Sequence, residues 1–267
     1  MPQSNQDDFF LQMHEWSDRK LQLLQKYVDA AAKILGKIDT IYYVDGFAGR
    51  GTYFDGSQGS PMRIADLAQR FEREGKPYSF RCLNVEENDS HFANLAEQTA
   101  KYGKIVRNFH GRFADHLDTI LQIIGAHPTV FFLDPFGLKG IEWSAVKKII
   151  DRSAPTDIWI RFDHTDVRRL DGNFEVNEHK FHILSAVFGI PDASHLHALL
   201  DAGNTPAERI QSCLDLYLRQ LKQTFQQAKN LGYANAYTIR SLEEDYKYHL
   251  LFATAHPKGI ILASDVV

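Results

Sequence analysis

The feature that most constrains this chain is a regular alternation. Short runs rich in β-branched and aromatic residues are followed, again and again, by amphipathic stretches of about ten residues. Residues 40–44, 78–85, 104–109, 129–133 and 157–162 read as strands. Between them a helix starts at Ser60-Pro61, with proline in its first turn, and others cover 89–101, 114–124 and 142–150. Right-handed crossovers join such units into one parallel sheet with helices on both faces, so the expected fold is a three-layer, doubly wound α/β domain.

The flanks complete that frame. Over 16–37, Leu21, Leu24, Val28, Ala31 and Leu35 recur at spacings of three and four. This predicts a long helix packed on the sheet, with Ser17 as N-cap and Gly36 as its stop. Further on, 176–188 and 206–231 read as helices, the second with Ile210, Leu214, Tyr217, Leu221, Phe225 and Ala228 on one face and Gly232 as terminator. Two last β-like runs, 233–239 and 248–254, lie near enough in sequence to pair antiparallel at one edge of the sheet. No repeat or linker divides the 267 residues, so one domain is expected, with 163–231 as a helical insertion or extension and 163–177 as its loop.

Composition matters chiefly for what it removes. Thirty Lys and Arg against 34 Asp and Glu give a formal charge of −4, which argues against coating nucleic acid by bulk electrostatics and leaves room for a local basic pocket. Cys82 and Cys213 are solitary, so they form neither a disulfide framework nor a C-x-x-C pair, and reduced buried thiols in the cytoplasm are expected. The opening MPQSNQDDFFLQMHEW is acidic and polar where an export signal is basic and then apolar. No segment approaches the ~18 apolar residues of a membrane span.

The first strand runs into Asp45-Gly46-Phe47-Ala48-Gly49-Arg50-Gly51, at the carboxyl end of a strand, where doubly wound sheets bind ligands. Glycines there admit positive φ and let a ligand approach the backbone. A dinucleotide fingerprint G-x-G-x-x-G counted from Gly49 and Gly51 finds Phe54 in the third place, and a P-loop would need lysine where Thr52 stands. The pattern D-x-F-x-G-x-G instead resembles the first motif of class I S-adenosylmethionine-dependent methyltransferases. That resemblance implies that Phe47, Ala48, Gly49 and Gly51 hold the amino-acid part of the cofactor, with Asp45 near its amino group.

The second strand ends in Val85-Glu86-Glu87. A carboxylate there can accept both ribose hydroxyls of an adenosine, and Glu86 is chosen because it sits closer to the apolar run. After the third strand comes His110-Gly111-Arg112-Phe113, where methyltransferases present a residue to adenine. Arg112 departs from the Asp common at that place, which leaves Phe113 or the backbone for the contact.

The fourth strand, TVFFL, runs into Asp134-Pro135-Phe136-Gly137. A carboxylate and a proline at the mouth of a central strand serve packing poorly, because proline gives the sheet no donor and the carboxylate must stay wet or paired. Nucleic-acid amino methyltransferases carry [DNS]-P-P-[YFW] here. Their acidic or amide side chain and the next carbonyl accept hydrogen bonds from the target amine, and an aromatic ring stacks on the extruded base. In this chain Phe136 replaces the second proline and Gly137 the aromatic residue, a form that resembles tRNA guanine-N2 dimethyltransferases. Asp134, Pro135 and Phe136 are the candidate catalytic residues. Lys139, Lys147, Lys148, Arg152, Arg161, Arg168 and Arg169 surround this mouth among nearly as many acids, which reads as a solvated mixed-charge face. His179 with His182, His195 with His197, and Asp163-His164 with Asp166 match no recognised metal-ligand set, and G-x-S-x-G does not occur.

Together, Lys20, the run YYVDGFAGRGTYFDGSQGSP (42–61), VEEN (85–88), FFLDPFG (131–137) and YHLLFATAHPKG (248–259) resemble the bacterial three-Cys-motif partner protein family, TcmP. The resemblance spans nearly the whole chain and is most specific at D-G-F-A-G-x-G-x-Y followed by G-S-P. It implies a Rossmann-like methyltransferase fold, S-adenosylmethionine as cofactor and a partner protein carrying a three-cysteine, radical-enzyme-like motif. The leading expectation is methyl transfer to an exocyclic amine of a base in RNA or DNA. The alternatives are a non-catalytic accessory subunit of the three-cysteine protein and a methyltransferase for protein or small molecules.

Overall fold

A computed structural model describes residues 9–37, 39–76, 78–135, 140–163, 182, 185–190, 198, 203, 205–239 and 248–267. In chain order the elements are α1 (Glu15–Leu35), β1 (Ile41–Asp45), α2 (Ser60–Arg73), β2 (Phe80–Glu86) and α3 (Asp89–Thr99) with a 3-10 turn (Ala100–Ile105). Then follow β3 (Val106–His110), α4 (Phe113–Ile124), β4 (Thr129–Leu133), α5 (Trp143–Ile150) and β5 (Thr156–Phe162). The last are α6 (Pro206–Lys229), β6 (Tyr233–Ile239), β7 (Tyr248–Thr254) and α7 (Pro257–Asp265).

One sheet carries all seven strands in the order β3-β2-β1-β4-β5-β7-β6. β1 to β5 are mutually parallel, and β7 runs against both β5 and β6. The last two strands thus pair antiparallel at one edge, as expected, and β7 is the inner of the two. Neighbours along each strand face opposite layers. Val130 and Phe132 of β4 pack with α1, α2 and Ala263 of α7, whereas Phe131 and Leu133 pack with α4, α5 and α6. Buried large side chains are worth about 1.5–3 kcal/mol each, so α1, with Leu21, Leu23, Leu24, Tyr27 and Val28 all buried, is fastened firmly to the sheet. Trp159 on β5, wholly buried, joins that layer to the reversed strand through Tyr27 at 5.2 Å and Phe252 at 4.7 Å.

Two predicted helix ends are corrected. The helix α1 starts at Glu15 with His14 as its N-cap, and Ser17 is a buried first-turn residue rather than the cap. Gly36 does end α1, but with φ −65; a Cβ there would lie 2.3 Å from the Tyr78 ring and 2.5 Å from the Ala32 carbonyl oxygen, so space and not backbone freedom demands glycine. α6 ends at Asn230, in the left-handed conformation (φ 64), two residues before the Gly232 expected to terminate it. Gly232 instead passes under the helix, where a Cβ would meet the Lys222 carbonyl at 2.0 Å. The sequence pattern predicts no helix after 254, yet α7 stands there with proline in its first turn. Cys82 and Cys213 are both buried. Among the described residues no helix is long and apolar enough to cross a membrane.

Candidate functional site

The strand order reverses between β1 and β4, and the crevice of a doubly wound sheet lies at such a point, above the carboxyl ends of the strands. The glycine turn spans it. Gly46 N–H donates to the Phe132 carbonyl of β4 (3.0 Å), and Ala48 N–H donates to the Val85 carbonyl of β2 (2.9 Å). A Cβ on Gly46 would lie 2.8 Å from Leu133 and 3.1 Å from Phe113, so the turn sits tightly on the core. Gly49 (φ 66) and Gly51 (φ 86) then take conformations that other residues adopt rarely.

Asp45 closes β1 with no exposed surface. Its carboxylate accepts from the Tyr43 hydroxyl (3.2 Å) and Phe47 N–H (3.2 Å), and among the described residues no cationic side chain forms an ion pair with it. Burial above all pushes this carboxyl up to about 6, with the Ser60 hydroxyl and Phe47 N–H pulling it down and the charge of Asp134 adding to the rise. Glu86, at the end of β2, accepts from Gly49 N–H (2.8 Å) and Asn88 N–H (2.8 Å), which ties the second strand to the turn. Desolvation raises its carboxyl, against those two donors and His91.

The structure therefore brings Asp45, Phe47, Ala48, Gly49 and Glu86 into one bed. Gly51 lies at its far side, and its carbonyl accepts from Gly59 N–H (2.8 Å) to close the following loop. Phe113 is 2% exposed and supports the bed from inside, 6.0 Å from the Phe47 ring. Above the bed stands Phe10, which the sequence reading did not single out. A Cβ on Gly49 would lie 3.0 Å from its ring, which also packs edge-on against His91 (4.8 Å). Its carbonyl accepts from Phe54 N–H (2.8 Å), and Met13 N–H donates to Asp55 (2.9 Å), so 10–13 lie strapped over the turn.

Asp134 follows β4 directly, half-buried, with Pro135 buried behind it. One carboxylate oxygen, Oδ2, accepts a hydrogen bond from the Nζ of Lys20, which reaches up from α1 with only 5% of its side chain exposed. The other, Oδ1, is buried and has no hydrogen-bond partner among the described residues; Arg161 Nη1 of β5 lies 3.7 Å from it. Lys20 Nζ is 5.7 Å from the ring centroids of both Phe132 and Tyr248, and the Arg161 guanidinium stacks on Tyr248 at 4.6 Å. Desolvation lowers the Lys20 ammonium, and the Asp134 carboxylate works against that fall.

The sequence points to Lys20 only through the family resemblance, and it shows nothing of the contacts that Arg161 and Tyr248 make. A local signal existed: Ser17, Lys20, Leu24, Tyr27 and Ala31 form one stripe at helical spacing, so a charge stands on the buried face of α1. Of the basic residues near the mouth, Lys147 and Lys148 are paired with Asp151 and Asp118 at the surface. Arg152 is bound to the Gly125 and His127 carbonyls. Phe136, Lys139, Arg168, Arg169, the histidine pairs as pairs, His164 and Asp166, and most of the predicted 176–188 helix lie outside the described residues.

No family model matches the chain, and no curated protein does. Among solved structures, the chain resembles protein LPL1258 from Legionella pneumophila, with TM-score 0.52 and 12% identity over 95% of this chain and 92% of that one. The O-methyltransferase TomG from Streptomyces achromogenes, solved with S-adenosylmethionine, aligns at TM-score 0.46 and 15% identity over 94% of each chain. An O-methyltransferase from Bacillus cereus, solved with S-adenosylhomocysteine, aligns at TM-score 0.44 and 14% identity over 87% of this chain and 80% of that one. With five parallel strands followed by a reversed strand set inside the edge, the chain has an α/β Rossmann-like fold with a seven-stranded, mostly parallel sheet.

Proposed function

We propose that this protein is an S-adenosylmethionine-dependent methyltransferase whose target is an exocyclic amine of a nucleic-acid base. The observation that carries the reading is the pair of carboxylates, Asp45 buried and Asp134 half-buried, set on either side of the crevice at the point where the strand order reverses. Lys20 already pairs with Asp134, but Asp45 is buried beside that carboxylate, whose charge adds to the rise of its own carboxyl, and so calls for a cation of its own. The cofactor brings two, an ammonium and a sulfonium, and Asp45 has no ion-pair partner of its own among the described residues.

When bound, the cofactor would supply an electrophilic methyl group on a positively charged sulfur. Asp45 would take its ammonium, Glu86 its ribose hydroxyls, and the backbone from Phe47 to Gly51 would lie along its amino-acid part. The Phe10 ring covers Gly49, so a ligand settling on that bed has to move the ring. Asp134 Oδ1 and the Pro135 carbonyl would accept hydrogen bonds from the target N–H groups, which aims the nitrogen lone pair at the methyl carbon. Such alignment supplies most of the acceleration in a transfer that needs little acid–base chemistry. Asp134 would face the acceptor nitrogen and would stabilise the positive charge that this nitrogen gains, until its proton passes to solvent water.

The test has two stages. Titration calorimetry with S-adenosylhomocysteine should give saturable heat for the native protein, and its absence would discard the cofactor. Labelled methyl transfer to total RNA and to DNA, with and without the three-cysteine protein that the family resemblance implies, should then mark one nucleic acid. Binding without transfer in every mixture would favour an accessory role beside that partner.

A further inference from the structure

The Lys20–Asp134 pair is an expensive way to fill the space between α1 and the sheet. Lys20 is 4% exposed on the apolar face of α1, between Ser17, Leu24 and the rings of Phe132 and Tyr248. An ion pair in such a place is often no more stabilising than apolar residues of the same volume. Stability therefore gives a poor account of it, whereas its geometry gives a better one. A carboxylate turns about a broad, two-fold torsion, so an unheld Asp134 would offer either oxygen in a range of planes. Lys20 binds Oδ2 alone, and Arg161 stands 3.7 Å from Oδ1, too far for a hydrogen bond. One oxygen is thus taken, and the other is left buried with its acceptor capacity unused.

We infer that Lys20 is a positioning residue: it holds the Asp134 carboxylate by one oxygen so that the other is aimed, unoccupied, at the N–H donor of the methyl acceptor. This rests on the methyl-transfer reading above and adds to it a residue from outside both sequence motifs. Lys20 acts on the acceptor only through Asp134, and its own contacts are with Asp134, Phe132 and Tyr248. The other charges near it are Arg161 of β5 and Asp45 of β1.

The experiment is a double-mutant cycle on the full chain with Lys20→Met, Lys20→Arg, Asp134→Asn and the Lys20→Met/Asp134→Asn pair. The initial rate of labelled methyl transfer to total RNA or DNA is read at saturating cofactor, and S-adenosylhomocysteine affinity is read separately by calorimetry. Lys20→Met should slow transfer about 100-fold, the scale of a misplaced reacting group, while cofactor affinity stays within twofold, which also shows that the variant is folded. Lys20→Arg, which keeps a cationic donor, should recover at least tenfold of that loss. In the Asp134→Asn background Lys20→Met should cost nothing further. Transfer by Lys20→Met at the native rate, or losses that multiply in the double variant, would overturn the role. Native protein that binds S-adenosylhomocysteine but methylates neither nucleic acid would overturn it too, whereas native protein that fails to bind it would overturn the underlying reading.

Discussion

Replacing Asp45 by Asn separates what this carboxylate does for the fold from what it would do for a ligand. Asp45 has no exposed surface, and burial first, then the charge of Asp134, lifts its carboxyl to about 6 against the pull of the Ser60, Phe47 and Tyr43 donors. In the unfolded chain the same group titrates near ~3.9, so the folded state holds the proton more tightly by about two units, or roughly 3 kcal/mol. The sign follows from which state binds the proton: native stability rises as pH falls from about 6 towards 4, and above 6 the ionised group costs the fold that full amount. Asparagine imitates the protonated form and keeps an acceptor for Phe47 N–H. At pH 8 Asp45→Asn should therefore be more stable than the native protein by up to roughly 3 kcal/mol, or about 6–12 °C in Tm, and the gap should shrink to about a third of that by pH 4.5. The same variant should bind S-adenosylhomocysteine more weakly, since its ammonium loses a counter-charge. Thermal melts of both proteins between pH 4.5 and 8, with calorimetry at pH 8, measure both effects. A variant less stable than native at pH 8, or a gap that does not change with pH, would refute the reasoning.

Glu86→Ala strips Gly49 N–H and Asn88 N–H of their acceptor and should weaken S-adenosylhomocysteine binding at least tenfold; an unchanged Kd by calorimetry would remove Glu86 from the cofactor site. Phe10→Ala takes the ring off Gly49 and should raise the association rate of S-adenosylhomocysteine in stopped-flow mixing, whereas an unchanged rate with a Kd more than tenfold weaker would make the ring part of the binding surface. Gly36→Ala pushes a methyl group into the Tyr78 ring and, less avoidably, to 2.5 Å from the Ala32 carbonyl oxygen; a loss of about 1–3 kcal/mol in urea unfolding is expected, and no loss would show that the turn after α1 can move aside.

Most of the sheet was legible because β1, β2, β4 and β5 share one pattern, a largely apolar run stopped by a polar residue or a turn. The β4 bounds agree to the residue, and β1, β2 and β5 differ by one or two at their ends. The place of β7 was not legible, since local pattern shows that two strands can pair and not which of them meets β5. The misread caps have a similar cause. Ser17 has the chemistry of an N-cap, yet it is buried one turn beyond the place where the chain enters the helix, and tertiary packing decided between them. At the site, the acidic residues stood out because they follow strands directly. The cation that holds Asp134 comes from 114 residues away and could be seen only as a charge on an apolar stripe.

The insertion of β7 between β5 and β6 sets an order on assembly. β5 is synthesised with β4 available on one side, and its other edge has no native neighbour until residues 248–254 arrive, almost a hundred positions later. Until then a row of unpaired amides and the indole of Trp159 lie open, which is the kind of edge that recruits other chains. β6, made earlier, must wait aside and dock onto a strand that follows it. A chain shortened before 248 would thus be expected to aggregate rather than form a smaller stable sheet, and slow release of the nascent polypeptide would prolong the vulnerable interval.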